Sequence, residues 1–202
     1  MADRRSTARD LAQIAVFAAL IAALGLPGQL HVAGLAVPIT LQTLGVMLAG
    51  AILGARRSFL AVLVFEVLTL AGLPLLAGGR GGAGVFVGPS AGYLYGWLPG
   101  ALVIGLLTQL WIPRCPRWLD PVWLRIAAVA LGGIVVVYAC GVAWLVVKGT
   151  ALWPAIAGNG VYLLGDSLKV IVTALVTGQV ARGYPGLIPV PRTAGVPTRT
   201  RV

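Results

Sequence analysis

The sequence predicts an all-α integral membrane protein, a six-helix transmembrane bundle with both termini in the cytoplasm. Three observations carry this: composition, the length of the apolar runs, and the placement of basic residues. With 59% hydrophobic residues, 10% charged residues and a mean hydropathy of +0.97, the chain of 202 residues has too little polar surface to cover a soluble domain. Apolar segments run over 11–26, 37–54, 58–78, 92–112, 122–147 and 155–181. Each is near or above the about 20 residues that cross a bilayer core as a helix. The first is the shortest, and Arg4, Arg5 and Arg9 ahead of it also suit a signal peptide cut near Ala33 or Ala36, which is the alternative for that segment.

Orientation follows from the basic residues. Six spans put the termini and the loops after spans two and four on one side. Twelve of the fifteen Lys and Arg fall there, among them Arg56, Arg57, Arg114, Arg117, Arg125 and Arg182. Arg80 and Lys148 lie opposite, and Lys169 is within a span, so the twelve-residue side is expected to be cytoplasmic. Residues 1–182 then form the membrane domain and 183–202 a basic cytoplasmic tail expected to be disordered. The net charge of +10 is explained by topology, and with no basic patch interleaved with aromatics, nucleic acid is not expected as a partner. Trp111, Trp118 and Trp123 bracket the expected inner loop and Trp144 and Trp153 the outer one, as interfacial belts do.

Within the last span, Asn159, Tyr162, Asp166, Lys169 and Thr173 are spaced by 3, 4, 3 and 4 residues, which places all five on one helix face. An Asp and a Lys in hydrocarbon cost about 2.5 to 3.5 kcal/mol each on insertion scales, so they are expected to face a partner, a cavity or a ligand. Counting about 1.5 Å per residue puts Asp166 roughly 15 Å below the outer surface. Cys115 and Cys140 are expected to be far apart, and His31 stands alone in an outer loop, so neither a disulfide nor a metal site is suggested. Between spans three and four, the run from Gly72 to Tyr93 is rich in glycine, which permits positive φ and close backbone approach. It also carries Leu75, Leu76, Val85, Phe86 and Val87, an apolar face that a solvated linker would lack, and is therefore expected to cap the site. Its glycines do not form a P-loop or a dinucleotide fingerprint.

Four stretches together carry a family resemblance: Val37-Pro-Ile-Thr-Leu-Gln-Thr-Leu-Gly45 running on to Gly54; Gly72-Leu-Pro with Ala77-Gly-Gly-Arg-Gly-Gly82; Gly88-Pro-Ser-Ala-Gly-Tyr93; and Gly165-Asp-Ser-Leu-Lys169. In this order the chain resembles the BioY family up to about residue 182. Ser90-Ala91 stands where Thr-Gly is more usual. The resemblance implies a multi-pass protein of a prokaryotic cell membrane, the substrate-capture (S) component for biotin of an energy-coupling factor transporter. It also implies, as partners, a transmembrane T protein and two ATPase subunits that supply the energy. The chain itself is then no enzyme and needs no cofactor.

That substrate suits the residues. Biotin has a ureido ring with two N–H donors and one acceptor, an apolar thiophane and chain, and a carboxylate, so its site needs few polar groups in an apolar pocket. Asp166 is suited to accept ureido N–H bonds, and Lys169 to neutralise Asp166, to bond the ligand, or both. The resemblance carries a binding role over to this pair; the alternative is an ion pair that only holds helices together. Arg80 is the candidate for the biotin carboxylate. Gln42, Thr43, Asn159, Tyr162 and Tyr93 are candidates for further hydrogen bonds, with Gln42 alternatively bridging helices. Glu66 is unexpected inside a span of this family. It either pairs with Lys169, is protonated, or alters the substrate range, and it keeps open a capture component or small transporter for another vitamin.

In span one, Ala15, Ala19 and Ala23, with Ala18 and Ala22 beside them, form a small-residue stripe. The resemblance implies that the stripe docks onto the T protein; internal packing is the alternative. An intramembrane enzyme using Asp166, Glu66 or His31 is the remote reading, weakened by the lack of any nucleophile and base arrangement.

Overall fold

The structure, a computed structural model, describes residues 2–28, 40–114 and 121–184. His31, Ala33, Ala36, the Val37–Ile39 start of the first motif, Cys115, Arg117, Trp118 and nearly all of the expected tail lie outside the described residues. Among the described residues the regular structure is helical: α1 (Ala2–Ala23), α2 (Gln42–Leu53), α3 (Ala55–Leu70), α4 (Ala91–Trp111), α5 (Val122–Ala130), α6 (Val137–Val147), α7 (Leu152–Gly158) and α8 (Gly160–Gly183). A π-turn over Leu131–Val136 joins α5 to α6 without a break.

Three helical stretches, Ala91–Arg114, Val122–Val147 and Gly160–Gly183, are long and apolar enough to cross a membrane, and Gln42–Leu53 is a shorter apolar helix. The expected spans over 92–112 and 122–147 coincide with α4 and with α5 to α6. Of the others, the run over 37–54 is helical over Gln42–Leu53 among the described residues, and three differ for a local reason. α1 starts at Ala2, ahead of its apolar run. The run over 58–78 leaves the helix at Leu70, because Gly72 takes φ 106° and Pro74 follows; its apolar remainder belongs to the cap. The run over 155–181 is two helices broken at Asn159, whose side chain donates from Nδ2 to the Ala155 carbonyl (3.0 Å).

α2 and α3 meet at Gly54, whose φ of 75° lies in the left-handed region that a side chain disfavours. α4 packs directly over this corner: a Cβ on Gly105 would collide with the Ala55 backbone. α4 is central to the bundle, touching α2, α3 and α6. Ser58 donates to the Ala101 carbonyl (3.2 Å), which adds a polar stitch between α3 and α4. Helices in lipid gain no hydrophobic drive toward one another, so close approach through small residues and such interhelical hydrogen bonds supplies the cohesion. Arg57 of α3 pairs with Asp10 of α1 (3.2 Å) and also donates to Gln13.

α1 divides its alanines. Ile14, Ala18 and Ile21 are buried in the bundle, with Ala22 packed beside them, whereas Ala15, Ala19 and Ala23 are exposed. Large apolar side chains also face outward elsewhere, Leu164 at 84% and Trp153 at 78% exposure among them, as a lipid-facing surface requires.

Candidate ligand-binding site

α8 presents its polar stripe inward. Asn159, Tyr162, Asp166, Lys169 and Thr173 are all buried, while Leu163, Leu164 and Leu168 between them are exposed. The residues just before and within the first turn of α2 face this stripe. Lys169 Nζ donates to Asp166 Oδ1 (2.6 Å), to Thr43 Oγ1 (2.9 Å) and to the Thr40 carbonyl (2.7 Å). The Thr43 hydroxyl donates in turn to Asp166 Oδ1 (3.4 Å), and Tyr138 OH donates to Asp166 Oδ2 (2.7 Å). Both ions are thus paired and hydrogen-bonded, the condition under which a buried charge pair offsets its desolvation cost. Glu66 does not share this network: its Oε1 is buried with no hydrogen-bond partner, and Lys169 is committed to Asp166.

Three tyrosines form a wall beside the pair. Tyr93 stacks edge-on against Tyr138 (6.3 Å between centroids) and Tyr162 (6.4 Å). Its ring lies flat on Gly141, where any Cβ would strike it, and its hydroxyl donates to Asn159 Oδ1 (2.8 Å). Asn159 therefore stands behind the wall, holding Tyr93, and is not among the residues lining the cavity.

The segment between α3 and α4 folds back over the bundle. Leu76, Ala77 and Phe86 are buried, Leu76 and Arg80 form an isolated antiparallel bridge, and Gly72, Gly78, Gly79 and Gly82 all take positive φ. Gln42 clips this segment in place. Its Nε2 donates to the Leu75 carbonyl (3.0 Å) and to Ile21 of α1 (3.2 Å), and its Oε1 accepts from the Ala77 amide (2.9 Å). Farther along, Tyr95 OH donates to the Phe86 carbonyl (2.6 Å) and Trp144 Nε1 to the Gly88 carbonyl (2.9 Å). Arg80 Nε donates to the Ala77 carbonyl (3.2 Å), and partial burial lowers the pKa of its guanidinium from the ordinary value.

Cap, wall and ion pair border a half-open cavity with about 70 Å³ of free interior. That is smaller than the roughly 300–1,000 Å³ of small-molecule pockets. Asp166, Lys169, Thr43, Arg80, Tyr93 and Tyr162 line it, as does Gln42, whose amide is already engaged by backbone. Sequence reasoning missed Tyr138, Leu94 and Trp97, which line it too. Glu66 does not appear in the lining. Chemically the cavity is an apolar slot with a charged, hydrogen-bonding floor and one cation at its cap, a frame for a ligand with N–H donors at one end.

The BioY family model matches residues 1–186. A biotin transporter BioY of Rhodobacter capsulatus is 47% identical over 191 residues, covering 89% of this chain and 97% of its own. Another from Rhizobium etli is 44% identical over 178 residues, covering 88% and 95%. Among solved structures, the crystal structure of the S-component for biotin from an ECF-type ABC transporter superposes with a TM-score of 0.81. It is 33% identical and covers 88% of this chain and 93% of that one. Shared fold, near full-length identity and a matching family model make one assignment: the chain belongs to the BioY family.

Proposed function

We propose that this protein is the membrane-embedded capture component for biotin, taking the vitamin from outside the cell and releasing it to the cytoplasm. The observation that carries the reading is the buried Asp166–Lys169 pair on the floor of an apolar cavity, with an Asp166 oxygen available for a ureido N–H. The thiophane and chain fit against Tyr93, Leu94 and Trp97, and Arg80 on the cap receives the carboxylate. Thr43 and the Tyr93 and Tyr162 ring edges complete the contacts, while Gln42 and Asn159 act through the cap and the wall.

The chain crosses the cell membrane six times with both termini in the cytoplasm, a topology supported by the arginine distribution. Residues 1–182 form the substrate-binding domain and 183–202 a basic tail. Energy comes from partners, a transmembrane T protein and two ATPases. Ala15, Ala19 and Ala23 of α1 dock on the T protein, a role supported by their exposure while Ala18 and Ala22 pack inward. Glu66 supplies no reason to prefer another vitamin, since it lies outside the cavity lining.

Isothermal titration of the detergent-solubilised protein tests the reading, with thiamine and riboflavin as controls. Stoichiometric biotin binding that falls at least about tenfold (about 1.4 kcal/mol) in Asp166→Asn is the expected result. Well-folded protein that ignores biotin, or prefers a control vitamin, overturns it.

A further inference from the structure

Tyr138 was invisible in the sequence, yet it makes a direct contact with the Asp166 carboxylate. An ionised carboxylate has about four acceptor positions, two on each oxygen. Lys169 and Thr43 occupy Oδ1, and Tyr138 occupies one position of Oδ2 at 2.7 Å. The three N–H donors of Lys169 are likewise spent, on Thr40, Thr43 and Asp166. One acceptor direction on Oδ2 is left by these contacts, and both Asp166 and Tyr138 line the cavity.

The backbone gives an independent reason to regard this contact as built. Tyr138 is the second residue of α6, immediately after the π-turn over Leu131–Val136. A π-turn inserts an extra residue and so rotates everything downstream by about 100° relative to an uninterrupted helix. Gly132 and Gly133 let this wider turn lie against its neighbours, since a Cβ on either would strike Ile104 or Met47. The rotation brings Tyr138 to face Asp166 on α8, across from Tyr93.

We propose that Tyr138 is a positioning residue of the ligand site: its phenol fixes the Asp166 carboxylate so that a single Oδ2 acceptor direction meets a single ligand N–H. The inference rests on the biotin reading above. It makes Tyr138 a determinant of selectivity at the ureido end, acting through Asp166 and not through the thiophane or the chain.

Equilibrium binding of radiolabelled biotin, with unlabelled competitors up to millimolar, tests this on the full-length protein as Tyr138→Phe, Asp166→Asn and the double variant, with thermal melting as the check on folding. Tyr138→Phe is expected to weaken biotin about tenfold, and to weaken desthiobiotin equally, because that analogue keeps the ureido ring and lacks only the sulfur. Added to Asp166→Asn, the same substitution is expected to change affinity less than threefold, the non-additivity of two groups acting as one unit. Losses that multiply, a loss confined to biotin, or unchanged affinity in Tyr138→Phe would each overturn the proposal while leaving the biotin reading standing. Wild-type protein that binds no biotin would overturn both.

Discussion

Among the described residues two carboxylates lie inside the helical bundle, and their surroundings are opposite. Asp166 on α8 receives Lys169, Thr43 and Tyr138, so that three donors from three helices converge on it. Glu66 on α3 is as deeply buried, at 6% exposure for each, and its Oε1 meets no donor. Burial alone therefore does not distinguish the two; what sets Asp166 apart is the set of donors that several helices bring to it. The region around α8 is organised for charge, and the region around α3 only tolerates a polar group.

The comparison is broken most severely by removing the counter-ion. Lys169→Ala leaves Asp166 buried without its cation, and breaking a buried pair in this way costs about 3–5 kcal/mol. Biotin affinity is expected to fall well beyond tenfold and the melting temperature to drop with it. Titration and a thermal scan on the same preparation check both. Affinity lost at unchanged melting temperature would show that the pair serves the ligand and not the bundle.

How much of this was legible follows from the same contrast. The stripe on α8 could be read because polar residues at helical spacing stand out in an apolar run. Tyr138 could not, because a lone tyrosine in a long apolar span reads as one more lipophilic side chain, and the π-turn that aims it leaves no pattern in the sequence. The cap was half legible. Its glycines and apolar residues announced a fold-back, but Leu73, Leu75 and Leu76 also prolonged the apparent third span past its end at Leu70. Hydropathy cannot separate an apolar cap from a membrane helix, since both remove apolar side chains from water. Gln42 reads in the sequence either as a site residue or as a bridge between helices; its amide bonds Ile21 of α1, which is the bridging reading, and Leu75 and Ala77 of the cap, which no spacing announces.

That clip suggests a smaller perturbation. Gln42→Leu preserves the bulk of the side chain and removes three hydrogen bonds to backbone, leaving the Ala77 N–H without its acceptor, at about 1–3 kcal/mol. The cap is expected to loosen, so that biotin dissociates about five- to a hundredfold faster while association changes little. Stopped-flow fluorescence or filter-binding chase experiments separate the two rates. Smaller again is Arg80→Ala, expected to weaken biotin about three- to tenfold and biotin amide not at all, because the amide lacks the anion that the guanidinium meets. Equal losses for acid and amide would move the carboxylate elsewhere in the cavity.

The least effect is expected at the other carboxylate. Glu66→Gln keeps shape and polarity while removing the ionisable group, and no cation among the described residues is paired with Glu66 to lose by it. Since Glu66 also stands apart from the cavity lining, biotin affinity should stay within twofold of wild type and thermal stability should hold or rise slightly. Matched titrations and melts of Glu66→Gln and Asp166→Asn set the two regions side by side in one experiment. Were the glutamine variant to lose binding as the asparagine variant does, the two carboxylates would be coupled through α2 or α4, and the distinction between a site carboxylate and a merely buried one would fail.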